Sequence, residues 1–317
     1  MDLVDILRKK INVLKDGEYM PGLKAVLLHI ETAFRHLSRG QDSEDDTAFT
    51  DAIYRTNQAF EGSIKEAYRV LAGQNPEEKS LFNIEKYLGQ NKIFRSRVQQ
   101  QLTTYRTEWR NPSTHEYKLD FDENEAFLAI VSVSAFSCLL LDQIAERLAF
   151  EESQAEAKAH TAGVATLPTA SSLMARVTQL LTEFCSIHLP SATAAGRLTE
   201  AQAVGALHGF LSSAAPALRV ETNKSLGPNG MFRADFLITE GKESLVVELK
   251  RGSPRQSYTN AIAQVTHYVL IGSIGSGILL FLPDTPSQME RLDTTINGIG
   301  RPLVIMAPVG SHLTRNR

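Results

Sequence analysis

The chain has 317 residues, 43% of them hydrophobic and 22% charged, with a formal net charge of -3 at pH 7. That length accommodates two domains with separate cores, and the near-neutral balance excludes a globally basic nucleic-acid coat, so any such surface must be a local patch. Cys138 and Cys185 lie far apart within apolar helical patterns, which argues against a disulfide or zinc framework and for small buried hydrophobes in a reducing compartment.

The N-terminus, Met-Asp-Leu-Val-Asp-Ile-Leu-Arg-Lys-Lys, lacks a basic stretch leading into an apolar core, so no signal peptide is expected. Residues 3–14 and 23–37 carry apolar side chains at three- and four-residue spacing, the pattern of amphipathic helices. A polar break at 40–46 precedes a long predicted helix, 47–71, with Phe49, Ile53, Phe60, Ile64, Tyr68 and Leu71 on one stripe, stopped by Gly73-Gln-Asn-Pro. Helices over 76–88 and 94–109 follow, and Pro112 is expected to end the second, because proline lacks an amide donor and disfavours helical geometry in its predecessor. Asp122 and Glu125 form a capping-box pattern at the start of a helix running to about Glu152. Its apolar run, Phe127 to Leu141, is shorter than the ~20 residues needed to span a bilayer and holds three serines, so it reads as a buried core or dimer helix of a cytoplasmic protein with no membrane partner.

Small and polar residues dominate 153–170, the composition of a linker that begins as a helical extension. Beyond it, 173–189 and 199–211 read as helices, 218–222, 232–238 and 245–249 as strands, 258–270 as a helix, and 277–282 and 303–306 as short apolar strands. The expected architecture is an all-α helical bundle over 1–152, the linker, and an α/β domain with a mixed central sheet over 171–317.

Two stretches carry chemistry. In Trp109-Arg-Asn-Pro-Ser-Thr-His115 an arginine and a histidine are separated by four residues. RNA is cleaved without metal when its own 2′-hydroxyl attacks phosphorus, which calls for a proton carrier near neutral pH and a fixed cation for the phosphorane oxygens. Histidine suits the first role and arginine the second. Asn111, Ser113 and Thr114 add neutral donors, and Trp109 and Tyr117 are candidates for base stacking, with core packing the equal alternative for Trp109. The run Arg-Asn-Pro-Ser-Thr-His followed by Asp-Glu-Asn-Glu-Ala and a long apolar helix resembles the HEPN family, as does Thr-Asn-Gln-Ala-Phe-Glu-Gly-Ser-Ile-Lys-Glu-Ala-Tyr-Arg-Val-Leu-Ala-Gly over 56–73. The resemblance covers residues 1–152, with Arg110, Asn111 and His115 on the motif positions. It implies a helical domain, a homodimer whose two motifs face one another, and metal-free ribonuclease activity of the kind found in toxin and antiviral systems; some members of that family only bind.

The second stretch is Val246-Val-Glu-Leu-Lys250. Glu248 and Lys250, two apart on a strand, share a face, and the short connection from Asp235 is of hairpin length, which brings Asp235 beside Glu248. Two carboxylates with water suit Mg²⁺ or Mn²⁺, and Lys250 is placed to orient water or offset developing charge. The alternative is an ordinary surface hairpin with a Glu248–Lys250 ion pair. The order helix, strand, hairpin, helix is similar to the PD-(D/E)XK nuclease superfamily over 171–317, with Ala234 standing where the motif's name has proline. The resemblance implies Asp235 and Glu248 as metal ligands, Lys250 as a catalytic group, Glu200 as an added helix ligand with Glu221 competing, and Gln264 and Tyr268 as a Gln-xxx-Tyr element contacting nucleic acid. Arg233, Lys224, Arg251 and Arg255 supply a candidate basic patch; His267 reads as packing or solvent-facing. The combined expectation is a two-domain nuclease acting on DNA, RNA or both in prokaryotic antiphage defence, with an operon-encoded regulatory partner. The alternative is a nucleic-acid-binding or regulatory protein whose domains bind, dimerise or sense without cutting.

Overall fold

A computed structural model describes residues 2–43, 45–116, 118–160, 171–190, 197–251 and 254–311. Tyr117 and the side chain of Arg255 lie outside the described residues. The chain divides into two compact units, Met1–Arg147 and Leu148–Arg317.

The first unit is helical: α1 (Leu3–Asn12), α2 (Met20–Ser43), α3 (Thr47–Ala72), α4 (Leu81–Gln90), α5 (Ser96–Tyr105), a π-helical turn (Arg106–Arg110), α6 (Asn111–His115) and the start of α7 (Glu123–His160). Its long helices pack through stripes read directly from the sequence. Ala33 and Leu37 of α2, Phe49, Ala52 and Ile53 of α3, and Ala126, Ala129 and Ile130 of α7 form one buried cluster. Phe60 stacks on Tyr105 at 4.5 Å between ring centroids and tilts against Phe136 at 5.2 Å. The capping box of α7 is present: Glu125 N–H donates to Asp122 Oδ1 at 2.8 Å, and Asp122 N–H to Glu125 Oε2 at 2.9 Å.

Three boundaries differ from the periodicity. Helix α2 continues through Gly40 to Ser43, because Gly40 sits against the Phe49 ring, where a Cβ would come within 2.4 Å. Helix α4 begins at Leu81 and not at Pro76, since Ser80 supplies the cap to the amide of Asn83. Pro112 does not end a helix. The preceding turn widens, so that the Asn111 amide reaches Arg106 O, five residues back, and the missing donor of Pro112 falls in the first turn of α6.

Helix α7 runs past Glu152 to His160, so 153–160, expected to open the linker, is helical and Ala157 joins the second unit's core; the rest of that segment, 161–170, lies outside the described residues. By length and composition alone Glu123–Ala159 is long and apolar enough for a membrane span, and half of its most apolar 18-residue stretch is buried inside the protein. Core helices meet the same test.

The second unit contains α8 (Leu173–Glu183) ending in a π turn (Phe184–His188), α9 (Glu200–Ala214), β1 (Arg219–Leu226), β2 (Phe232–Glu240), β3 (Glu243–Arg251), α10 (Pro254–Ile271), β4 (Ser276–Leu282), β5 (Met289–Thr295) and β6 (Pro302–Pro308). The strands form one mixed sheet in the order β1-β2-β3-β4-β6-β5. β1–β2, β2–β3 and β5–β6 are antiparallel, whereas β3–β4 and β4–β6 are parallel. The central strands are buried on both faces and read as continuous apolar runs. Leu245, Val247, Leu249, Ile278, Leu280, Val304 and Met306 face a core shared with α8 and α9; Val246, Leu279, Phe281, Leu303 and Ile305 face a second core under α10. Gly277 lets α10 approach β4, since a Cβ there would lie 2.5 Å from Val265. Strand β5 escaped the sequence pattern because Met-Glu-Arg-Leu-Asp-Thr-Thr is a largely exposed edge with no apolar alternation; its pairing with β6 makes it a strand.

Burial on both faces sets a contrast between strands. Leu280→Ala, at a fully buried position, is expected to cost about 2–5 kcal/mol in urea unfolding, and Thr294→Ala on the exposed edge no more than about 0.5 kcal/mol. Equal effects would contradict this layering.

Candidate functional site

The β2–β3 hairpin turns at Gly241, whose φ of 57° favours glycine, and pairs Glu240 with Glu243. Its ladder runs as far as Phe236 and Val247; one step further, Asp235 and Glu248 face one another on the side of the sheet that carries α10. There the strands exchange a side-chain bond in place of a ladder bond: the Leu249 amide donates to Asp235 Oδ2 at 2.7 Å. Across the other ladder, Asn223 adopts a φ of 50° between the paired positions Thr222–Phe236 and Lys224–Ala234. At Asp235 the β1–β2 ladder skips one pair before resuming, and the β2–β3 ladder has ended one pair earlier.

Lys250 Nζ donates to Glu248 Oε1 at 2.8 Å and to Gln264 Oε1 at 2.8 Å. Gln264 Nε2 in turn donates to Tyr268 OH, which donates to the Arg233 carbonyl at 2.7 Å. Gln264 and Tyr268 lie one turn apart on α10, so a single helix face positions the ammonium and ties it back to the strand that carries Asp235. Burial pushes the Tyr268 phenol up to about 12, which keeps it a protonated donor.

Burial and the charge of Glu248 push Asp235 up to about 7, and Glu200 adds to the rise. Glu248 is also raised, chiefly by burial and opposed by Lys250. Glu248 is 3% exposed, and its Oε2 is buried without a hydrogen-bond partner. Two desolvated carboxylates, one with an orphaned oxygen, form a donor set that suits a hard divalent cation. Among the described residues no group of three or more His, Cys, Asp or Glu is arranged to hold a metal ion. Glu200, the exposed first residue of α9, reaches the pair through its charge. Glu221, the competing acid, is engaged by Lys224 at 2.7 Å and Arg219 at 3.3 Å. Lys224, a candidate for the basic patch, is thus paired with Glu221 at the partly exposed edge of β1. Arg233 is half-buried and Arg251 exposed at the end of β3.

In the helical unit, Arg110 to His115 lies on the π turn and α6, not on an open loop. Arg110 leans toward Glu61 of α3 at 3.8 Å and toward Asn111 Oδ1 at 3.4 Å, and its Nε is buried without a partner. Its carbonyl accepts from Ser113 and Thr114 hydroxyls. Asn57 Nδ2 donates to Ser113 Oγ at 2.7 Å, while Tyr105 OH lies 3.0 Å from Asn57 Oδ1 and 2.7 Å from Thr56 Oγ1. His115 ends α6 and is exposed, and Trp109 packs against the α2–α3–α7 core. Asn57 and Glu61 lie within the 56–73 stretch, but that stretch alone does not show them supporting the motif. Their spacing, four apart in a helix striped with apolar residues, was the available signal.

No family model, curated protein or solved structure matches the chain.

The raised Asp235 carboxyl gives a signed pH dependence. Its ordinary value is 3.8 and its folded value about 7, so the folded chain holds this proton more tightly than the unfolded chain does. Without divalent ions, stability is therefore full below the ordinary value and is lost as pH rises toward 7. Thermal melting in EDTA should show this decline between pH 4 and 7, and Asp235→Asn should flatten it. A variant with the parent's slope would place the titration elsewhere.

Proposed function

We propose that the protein is a nuclease whose phosphodiester-cleaving site is built by Asp235, Glu248 and Lys250, on a restriction-endonuclease-like core of the PD-(D/E)XK kind. The convergence of two buried carboxylates and one helix-anchored ammonium at a break in the sheet carries this reading. The order helix, three-strand meander, crossover helix and parallel strand supports it.

Asp235 and Glu248 would hold Mg²⁺ or Mn²⁺, with Glu200 adding negative charge from the end of α9. When bound, such an ion supplies Lewis acidity and a water of lowered pKa. Within the chain, Asp235 keeps one oxygen on the Leu249 amide and presents the other to the site. Lys250, held between Glu248 and Gln264, aims its remaining proton toward the place where phosphate charge develops. Gln264 and Tyr268 fix the length and direction of that lysine. DNA is the expected substrate of this site.

The helical unit is read as HEPN-like, with Arg110 holding phosphate oxygens, Asn111 assisting, and His115 moving protons in metal-free RNA cleavage. The buried, unpartnered Nε of Arg110 and its long contact to Glu61 favour that role, since the guanidinium is positioned without being fully satisfied. Exposed Phe127 and Leu128 on α7 support a homodimer through this unit. The assigned setting is cytoplasmic antiphage defence, with an operon-encoded protein as regulator. A reading in which one or both units bind nucleic acid without cutting is favoured by one observation, the lack of a third acid in ligand position among the described residues.

Purified protein incubated with labelled DNA and RNA separates these readings. DNA cleavage should require Mg²⁺ and fall about a hundredfold or more in Lys250→Ala. RNA cleavage should persist in EDTA and fall about a hundredfold or more in His115→Ala. Equal rates for both variants and the parent on every substrate would leave only the binding role.

A further inference from the structure

Beside the carboxylate–lysine centre lies an apolar and aromatic patch that the chemistry above leaves unused. Phe232 opens β2 three residues before Asp235, and its ring stacks on His267 of α10 at 6.0 Å between centroids and 15° between planes. The same ring meets Tyr268 edge-on at 6.5 Å. Tyr268 thus belongs to two systems at once: its ring edges the stack, and its hydroxyl closes the hydrogen-bond chain to Lys250. His267 is exposed, Met231 is 74% exposed, and Ile271, one turn beyond His267, is 37% exposed. Gly227, at a φ of 76°, packs so closely here that a Cβ would fall 2.7 Å from Ile271 and 3.6 Å from Phe232. A tight glycine turn therefore backs the patch. Single exposed apolar residues are ordinary; Phe232, His267 and Ile271 gather around one ring pair next to the Gln264–Tyr268 face, with Met231 the next residue back along the chain.

We infer that Phe232, His267 and Ile271 form a stacking platform for an unpaired nucleobase beside the phosphodiester held at Asp235, Glu248 and Lys250, so that the preferred substrate carries a single-stranded or frayed segment at the cleaved bond. This rests on the nuclease reading of that site. An unpaired base has a free π-face and gains from an aromatic or apolar partner whatever its identity, whereas a base inside a duplex already has both faces covered by its neighbours. The position favours a base over a protein partner. The patch lies one side chain, Tyr268, from the lysine network, so a protein seated there would also cover the reactive centre.

The test is fluorescence anisotropy with the full chain, using Ca²⁺ in place of Mg²⁺, on a labelled DNA duplex with a short single-stranded overhang and on its blunt counterpart. The parent should bind the overhang more tightly. His267→Ala and Ile271→Ala, both at exposed positions, should each reduce that preference about fivefold or more, the lower range of base stacking. Phe232→Leu, which keeps the buried packing, should do the same through loss of the ring. Unchanged melting temperatures will show that the variants are folded. Equal preference in parent and variants, or no preference in the parent, overturns the platform. Variants that alter only the oligomeric state on size exclusion also overturn it and make the patch a protein interface. Mg²⁺-dependent cleavage that needs Lys250 but shows no overhang preference would sink the platform alone. A platform-dependent preference without cleavage would sink the nuclease reading alone.

Discussion

Two carboxylates share a buried corner of the sheet with one ammonium, and that surplus of negative charge is the constraint around which the second unit is organised. Removing a carboxylate from water is costly unless it is paired, and even a good buried ion pair does little more than recover its desolvation cost. Here the compensation is incomplete. Asp235 accepts from one amide; Glu248 is held by Lys250 and eased by the Asp235 backbone, while its Oε2 is buried without a hydrogen-bond partner. A fold selected for stability alone would place apolar side chains at these positions, as it does at Val246 and Val247 next to them. The local conflict is a cost in stability that packing alone does not explain.

The rest of the unit makes that conflict tolerable. The central strands are packed on both faces, by α8 and α9 on one side and α10 on the other, so the backbone beneath Glu248 and Lys250 has little room to relax. At Asp235 the pairing of β2 with β3 has ended while its pairing with β1 resumes beyond, and there the Leu249 amide donates to a carboxylate and not to a ladder carbonyl. Helix α10 serves two functions with one face: it seals a core through Val265 and Val269, and it holds Lys250 through Gln264. Chemistry placed on packed strands and a packed helix keeps its geometry better than chemistry placed on loops.

Much of this was legible in the sequence for simple reasons. Alternation along 246–250 fixes the shared face of Glu248 and Lys250, and a connection of hairpin length brings Asp235 to the same edge; the turn is tighter than the polar stretch 239–244 suggests, with only Gly241 and Lys242 between the paired Glu240 and Glu243. The helical stripes of α2, α3 and α7 are equally direct. What escaped has no local signal. Strand β5 exists only because β6 offers it an edge. The continuity of helix through Pro112 depends on a π turn, which no composition signal around Pro112 announces. Glu200 was expected as a direct ligand, but chain order alone gives neither the distance of its carboxylate from Asp235 nor its exposure. The Phe232–His267 stack joins residues thirty-five positions apart and becomes visible only once α10 is laid on the sheet.

If the surplus charge at Asp235 and Glu248 exists to hold a divalent cation, metal affinity is its most direct readout, independent of any substrate. Calorimetric titration of Mn²⁺ into the metal-free chain at a pH above 7, where Asp235 is ionised, should reveal a site that Glu248→Gln removes and that weakens as pH falls below that value. Heat of binding unchanged by Glu248→Gln, or none at all in the parent, would contradict the account.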